Sequence, residues 1–292
     1  MRNAQHDTIS LFRSPSPERC AEYALVLMAM GIRCKLVSFD GDFALEVYVR
    51  DASRARHQVH LYVQENKDRP QKFNPQLKVQ DGITCAWLYA VVILCIYILQ
   101  RDQLFAIDWL QVGVSHAASI RDGEWWRAVT ALGLHVDTAH LVSNLFFGLI
   151  FVFLAGELLG WGLALSGIVF GGALGNLINA YAQNPSHTSI GASTSLFAAV
   201  GLLAAYSWSR RGRRLNRWIP LGCGVAVLAF IGMGGERTDI FAHVTGFASG
   251  CLFGFAFGAL DARAVFTERY KRFLGIGAAV FFVFAWAVAL QA

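Results

Sequence analysis

The chain has 292 residues, of which 55% are hydrophobic and only 15% are charged, and its formal net charge is +5. Soluble domains carry about 25% charged residues, so this composition excludes a wholly soluble protein and predicts a membrane protein with a modest soluble part. The positive charge does not indicate a nucleic-acid partner, because most of the excess arginine lies in loops, where membrane topology accounts for it.

Residues 1–66 predict a small α+β module, after a polar start (1–15) that we expect to be disordered. Apolar residues then recur at helical and at strand spacing, and an Asp-Gly pair, a strong hairpin signal, lies between the strands. The sequence does not identify a partner for this module. The expected order is helix, strand, strand and helix, at 16–30, 34–39, 43–49 and 53–66.

A basic linker and seven apolar runs follow the module. Residues 67–82 carry prolines, lysines and an arginine, and they predict a linker close to a membrane surface. A spanning helix needs about 20 apolar residues, with about 17 as a lower limit. The fold class predicted is therefore an all-α polytopic membrane protein with a small α+β module at its N-terminus. The runs are 83–99, 141–159, 163–182, 193–208, 218–235, 240–260 and 273–292.

The charges of the loops predict the orientation. Arginine and lysine are concentrated in the linker and in the loops after the fourth and sixth runs. By the positive-inside rule, the N-terminal module is then cytoplasmic and the C-terminus lies outside. The second, fourth and sixth helices would all begin at the non-cytoplasmic face. The arginine bias and the compact loops favour a bacterial inner membrane over an organelle.

Two side chains at the heads of these helices have the chemistry of a nucleophile and its base. Ser193 follows Gly191 at the start of the fourth run, and His243 lies at the start of the sixth. A serine hydroxyl needs a base to remove its proton, and histidine can take that proton and return it to a leaving amine. Ionisable residues within spans usually mark function. Ser189 and Ser195 are the alternative nucleophiles.

Acyl transfer also needs donors for the oxyanion that forms. His140 and Asn144 are four residues apart, so they share one face of the second helix, and each carries an N–H group. The backbone N–H of Ser193, at a helix start, would be a third donor. His135 lies just outside the second helix and is a candidate brace for the loop.

A stripe of glycines follows His243 at every fourth position. This small-xxx-small pattern lets two helices touch backbone to backbone, and the expected partner is the fourth helix, which would bring His243 to Ser193. Plain packing is the alternative role of the stripe. The glycines are Gly246, Gly250, Gly254 and Gly258.

Four short motifs follow one another along the apolar part of the chain. They are Trp-Arg in the first external loop, His and Asn four apart, a glycine-framed serine, and Ala-His-x-x-Gly-x-x-x-Gly. Together they resemble the motifs of the rhomboid family of intramembrane serine proteases, over about residues 83–260. The matching residues are Trp126 and Arg127; His140 and Asn144; Gly191, Ser193, Phe197 and Gly201; and Ala242, His243, Gly246 and Gly250.

The resemblance implies an architecture. A rhomboid-like core of six transmembrane helices (83–260) would be followed by a cytoplasmic loop and one C-terminal transmembrane helix (261–292). The first loop would be a membrane-embedded brace to which Trp126 and Arg127 give structural support.

The resemblance also implies a Ser193–His243 dyad without a carboxylate, and an oxyanion hole from His140, Asn144 and the Ser193 amide. One position departs from the family pattern, because Thr194 stands where the family usually has a glycine after the nucleophile. Its β-branched side chain restricts the backbone and would crowd the oxyanion hole or alter substrate preference.

We therefore predict an intramembrane serine endopeptidase that cleaves single-pass transmembrane substrates near the non-cytoplasmic face of a lipid bilayer. No metal or organic cofactor is expected, since the sequence has no HExxH motif and no His/Cys/Asp cluster. The main alternative is a catalytically inactive rhomboid-like protein that binds or escorts transmembrane helices. A transporter is less favoured, because inverted internal repeats are not evident.

Overall fold

The computed structural model describes residues 7–39, 42–66, 82–210, 218–232, 238–263 and 265–292. The chain divides into two compact units, Met1–Gln76 and Leu77–Ala292. The predicted Asp-Gly turn, nearly all of the linker and most of the arginines between the fourth and fifth runs lie outside the described residues.

The first unit contains a three-stranded antiparallel sheet and two helices that pack on it. Its elements are β1 (Thr8–Ser14), α1 (Pro17–Ala29), β2 (Cys34–Phe39), β3 (Asp42–Tyr48) and α2 (Ala52–Glu65). The strand order is β1-β3-β2, and β2 pairs with β3 as a hairpin requires. Leu27, Ile32 and Leu45 are central to its core. After β1, the elements follow in the order helix, strand, strand and helix.

The expectation of disorder in residues 1–15 is wrong for Thr8–Ser14. This segment is strand β1, which pairs antiparallel with β3. The register shifts between Ser10 and Phe12, and the adjacent Leu11 and Phe12 both pack against the core. A bulge interrupts the two-residue alternation by which a half-buried strand is identified. The polar residues of this segment therefore indicate disorder when the sequence is considered alone.

The second unit is almost entirely helical. Each of the seven predicted apolar runs overlaps one helix, and the fourth of these begins at Ser193. Residues 233–235 of the fifth run lie outside the described part of the chain. In chain order the elements are α3 (Gly82–Arg101), α4 (Trp109–Gly113), β4 (Ser115–His116), α5 (Ala117–Arg121), α6 (Arg127–Thr130), α7 (Thr138–Leu159), α8 (Trp161–Ala182), β5 (Thr188–Ser189), α9 (Ser193–Arg210), α10 (Ile219–Gly232), α11 (Ile240–Ala262) and α12 (Glu268–Ala289).

Among the described residues, five helices are long and apolar enough to cross a membrane by length and composition, namely α3, α7, α8, α11 and α12. The other two differ in character: α10 is a shorter apolar helix of 14 residues, and α9 has several polar residues among its 18. Helix α9 contacts α7, α8, α10 and α11, and every residue from Thr194 to Leu202 is buried. Its surroundings are protein rather than lipid, which permits polar residues. The chain is a multi-pass integral membrane protein.

The segment between α3 and α7 packs on α12 and reaches the loop before α9. The ring of Trp109 lies 5.4 Å from that of Trp286, and its N–H donates to Leu104 O at 3.1 Å. Trp125 stacks on Phe281 with ring centroids 5.7 Å apart. Both tryptophans therefore have specific packing partners beyond an interfacial position. Strand β4 pairs with β5, just before the serine.

Candidate active site

Ser193 is the first residue of α9 and follows a tight turn of the backbone. Gly191 adopts a φ of +129°, a conformation that side chains other than glycine rarely adopt. Its N–H donates to Ala131 O at 3.1 Å, which fastens the turn to the first loop. Ser195 is buried and its hydroxyl donates to Ala192 O at 2.7 Å, whereas Ser193 is partly exposed. Ser193 is therefore the more accessible of these two hydroxyls.

The ring of His140 lies against this turn. A Cβ atom at Gly191 would lie 2.6 Å from His140 Cε1 and 2.8 Å from its Nε2. The same point lies 3.7 Å from Ser193 Oγ. The imidazole and the hydroxyl therefore share the small space around Gly191, and any larger residue there would strike the ring.

Asn144 lies one turn further along α7 and is 3% exposed. Its Nδ2 donates to His140 O at 2.9 Å, and Tyr89 donates to the backbone oxygen of Asn144 at 3.0 Å. A side-chain amide has two hydrogens, so one N–H remains to donate elsewhere. Between Asn144 and Ser193, both described, there is no hydrogen bond.

The ring of His243 packs beside the first turn of α9 and the end of α10. It lies 4.5 Å from the ring of Phe197, and its Nδ1 is 2.8 Å from Gly232 O. A carbonyl can only accept, so Nδ1 carries the proton, and in the neutral ring Nε2 keeps its lone pair. This is the tautomer that a general base must have if it is to accept a proton at Nε2.

Helices α9 and α11 touch backbone to backbone along the glycine stripe. A Cβ atom at Gly246 would lie 2.4 Å from Thr194 O. One at Gly250 would lie 2.0 Å from Ala198 O, far below the 3.4 Å at which ordinary contact begins. The stripe therefore faces the helix that begins with Ser193. Because its glycines have no side chains, the two helices can approach to this short distance.

Thr194, the departure from the family pattern, is 2% exposed. Its Cγ2 lies 2.9 Å from where a Cβ at Gly175 would be and 3.0 Å from where one at Gly246 would be. The methyl group thus fills the junction of α8, α9 and α11, where two glycines leave room for it.

His135 is fully buried beside the head of α7. Its N–H donates to Gln100 Oε1 at 3.0 Å, and Gln100 Nε2 donates back to His135 O. Burial, and to a smaller extent His140, lowers the pKa of His135 to about 4, although the Gly133 carbonyl acts in the opposite direction. The two imidazole rings are 5.3 Å apart, so a neutral His135 lies beside His140 near neutral pH.

Arg127 ties parts of the first loop together. It donates to Gln111 O at 2.8 Å and to Val114 O at 3.2 Å, and it also pairs with Glu124. The ring of Trp126, its neighbour in sequence, is partly buried among the apolar residues of this loop and α12. These contacts make both residues part of the framework of the loop.

The sequence reasoning missed a polar cluster at the head of α11. Asp239 caps this helix by accepting from Ala242 N–H at 3.0 Å, and an aspartate before an apolar run is a recognised cap signal. Its second oxygen also accepts from Asn179 and His187. These two bonds join residues 60 and 52 positions apart in the sequence. No periodic pattern in the sequence indicates such contacts.

The arrangement offers a hydroxyl, a basic nitrogen and several N–H donors around one turn. No hydrogen bond joins Ser193 to His243, two residues that the structure describes. Such bonds often tighten only when substrate is present, so the geometry is compatible with acyl transfer. Within the described ranges, no three His, Cys, Asp or Glu side chains gather as a metal site would need.

Comparison with known proteins assigns a family. The sequence model of the Rhomboid domain matches residues 122–260. The chain is 33% identical over 143 residues to Rhomboid-like protease 3 of Toxoplasma gondii, covering 48% of this chain and 54% of that protein. It is 28% identical over 181 residues to Rhomboid-like protease 1 of the same organism, covering 60% of each.

A plant protein is also similar to the chain. RHOMBOID-like protein 1 of Arabidopsis thaliana is 28% identical over 176 residues, which cover 59% of this chain and 42% of that protein. The chain thus spans about half the length of these curated relatives. Residues 122–260 of the chain thus form a domain of the rhomboid family.

Proposed function

We propose that the chain is a serine-type intramembrane endopeptidase in which Ser193 is the nucleophile and His243 the base. The observation that carries the proposal is the backbone contact between α9 and α11, because the two side chains belong to the first turns of these closely apposed helices. The bond from His243 Nδ1 to Gly232 O supports it, since Nε2 is then the basic nitrogen. The relatives named proteases point to the same activity.

The reaction would proceed as acyl transfer. His243 Nε2 takes the proton of Ser193 Oγ as this oxygen attacks the substrate carbonyl carbon. The oxyanion accepts hydrogen bonds from the His140 ring, the remaining N–H of Asn144 and the Ser193 backbone N–H. The protonated His243 then gives its proton to the leaving amine, and water hydrolyses the acyl-enzyme with the same histidine as base.

The substrates would be single-pass transmembrane proteins that are cut near the non-cytoplasmic face. Small or helix-breaking residues near the cut should favour cleavage, because an extended strand must enter the site. The excess of basic residues in alternate loops supports a cytoplasmic N-terminus and an external C-terminus, in a bacterial inner membrane.

The proposal is tested by incubating the full chain in liposomes with a panel of single-pass helices. We expect the wild-type chain to cut at least one helix near its outer end, and Ser193→Ala and His243→Ala to abolish the cut. Ser195→Ala is the matched control, because its hydroxyl is buried and bonded to Ala192 O, and it should cleave normally. A wild-type chain that binds helices but neither cleaves them nor reacts with a fluorophosphonate would instead be the inactive binder.

A further inference from the structure

A cluster of polar side chains lies at the head of α11 and has no part in the proposed reaction. Its centre is Asp239, and the residues around it come from the last turn of α8 and from the loop before α9. The cluster is partly buried, since Asn179 is 1% exposed and the side chains of His187 and Asp239 are 27% and 18% exposed.

The Asp239 carboxylate bonds to three segments of the chain at once. Its Oδ1 accepts from Ala242 N–H at 3.0 Å, which caps α11. Its Oδ2 accepts from Asn179 Nδ2 at 2.8 Å, in α8. The same oxygen accepts from His187 Nε2 at 2.8 Å, in the loop that leads to the serine. One side chain therefore joins α8, α11 and this loop.

The carboxylate is held in its ionised form. Burial acts to raise the pKa of Asp239, but hydrogen bonds from Ala242, His187, Ser189 and Asn179 together outweigh burial and leave the pKa below its ordinary value. An ionised carboxylate can accept several hydrogen bonds at once, and charge-assisted bonds are about twice as strong as neutral ones.

The bonds lie close in sequence to both reacting groups. His187 precedes Ser193 by six residues, and Asp239 precedes His243 by four, which is about one helical turn. The same loop is held on its other side, because Ala117 N–H donates to His187 O at 3.0 Å and β4 pairs with β5. The first loop and Asp239 thus hold the serine-bearing loop from two directions.

We propose that Asp239 is a positioning residue for the proposed hydrolysis: its bonds to His187 and Asn179 fix the serine-bearing loop on the head of the histidine-bearing helix. The inference rests on the proposed function for its effect on rate, but the contact itself can be tested without it. Without these bonds the loop would shift relative to α11, and a misplacement of about 1 Å can lower a catalytic rate about 100-fold.

Asp239 also caps α11, so a test must distinguish the loss of its cap from the loss of its bonds to the loop. Asp108, a second aspartate cap in this chain, provides the control. Asp108 caps α4 with φ −81° and ψ 86°, close to the −78° and 81° of Asp239, and accepts from Gln111 N–H at 3.0 Å. Serine is a good cap but is too short to reach a second partner. Asp239→Ser therefore keeps the cap and removes the bonds to the loop, whereas Asp108→Ser changes a cap only.

The first experiment measures the rate at which a fluorophosphonate labels the full-length chain in detergent. We expect Asp239→Ser and His187→Leu to label at least about tenfold more slowly, and Asp108→Ser to label as the wild type does. His187→Gln, which keeps a side-chain donor, should regain most of the rate. Labelling of Asp239→Ser at the wild-type rate would overturn the inference, and so would a His187→Gln variant as slow as His187→Leu.

The second experiment measures hydrogen exchange of residues 183–192 and does not depend on activity. Asp239→Ser should speed exchange in this segment, and Asp108→Ser should leave it unchanged. Unchanged exchange in Asp239→Ser would overturn the contact itself. If the wild-type chain never labels while exchange responds as expected, the proposed hydrolase function fails and the contact stands as a purely structural one.

Discussion

Gly250→Ala tests whether the separation of α9 and α11 controls activity. The added Cβ would lie 2.0 Å from Ala198 O and 2.7 Å from Ala198 Cα, where ordinary contact begins at 3.4 Å. These neighbours are backbone atoms, which cannot swing aside as the end of a side chain can. The two helices must therefore separate by more than about 1 Å, and a misplacement of that size can lower the rate about 100-fold.

Gly250→Ala should lower the stability of the chain without preventing it from folding. Overpacking of a well-packed interface lowers the free energy of unfolding by about 1–3 kcal/mol, so the variant should still fold. Its fluorophosphonate labelling rate should fall about 100-fold while the protein stays monodisperse in detergent.

Gly277→Ala is the matched control for this substitution. It lies in the membrane helix α12, and a Cβ there would meet no atom within 4 Å. It should label at the wild-type rate. A Gly250→Ala variant that folds and labels within about threefold of Gly277→Ala would refute the reasoning, because a threefold change is less than 1 kcal/mol.

Three further predictions follow from individual contacts. Thr194→Ser removes the methyl group that lies against Gly175, so it should lower the free energy of unfolding by about 1 kcal/mol in chemical denaturation; a tenfold gain in labelling would show instead that the methyl crowds the reaction. Gly191→Ala places a methyl 2.6 Å from the His140 ring at a φ of +129°, so labelling should be lost, and a normal rate would exclude this packing. The pKa of His135 is about 4 in the folded chain, against an ordinary value of 6.5. The unfolded chain therefore binds the proton more readily, and the free energy of unfolding should fall by about 3 kcal/mol as the pH drops from 6.5 to 4. His135→Asn should lose this part of the pH dependence, and equal slopes for the two chains would contradict a buried neutral imidazole.

The helices of the second unit could be predicted because the membrane imposes a length and a composition on each span. The glycine-framed serine predicts a helix start at residue 193, and α9 does begin at Ser193. Strand β1 was missed because a bulge beside Leu11 interrupts its alternation. Local patterns are therefore sufficient for regular elements and insufficient for irregular ones.

The site could be predicted only as far as its residues follow short motifs. The serine, the histidines and the glycine stripe all have such spacing, although their roles remain predictions. The direction of the Thr194 side chain depends on Gly175 in another helix, and the bonds of Asp239 depend on His187 and Asn179. These contacts join residues that are distant in sequence, and the pattern of a single sequence carries no signal for them.

Mapping the fluorophosphonate adduct by mass spectrometry of the full chain tests the central claim most directly. The account predicts a single adduct, on Ser193, that is lost in His243→Ala and unchanged in Ser195→Ala. An adduct on another residue, or an undiminished adduct on Ser193 when His243 is alanine, would contradict a serine activated by that histidine.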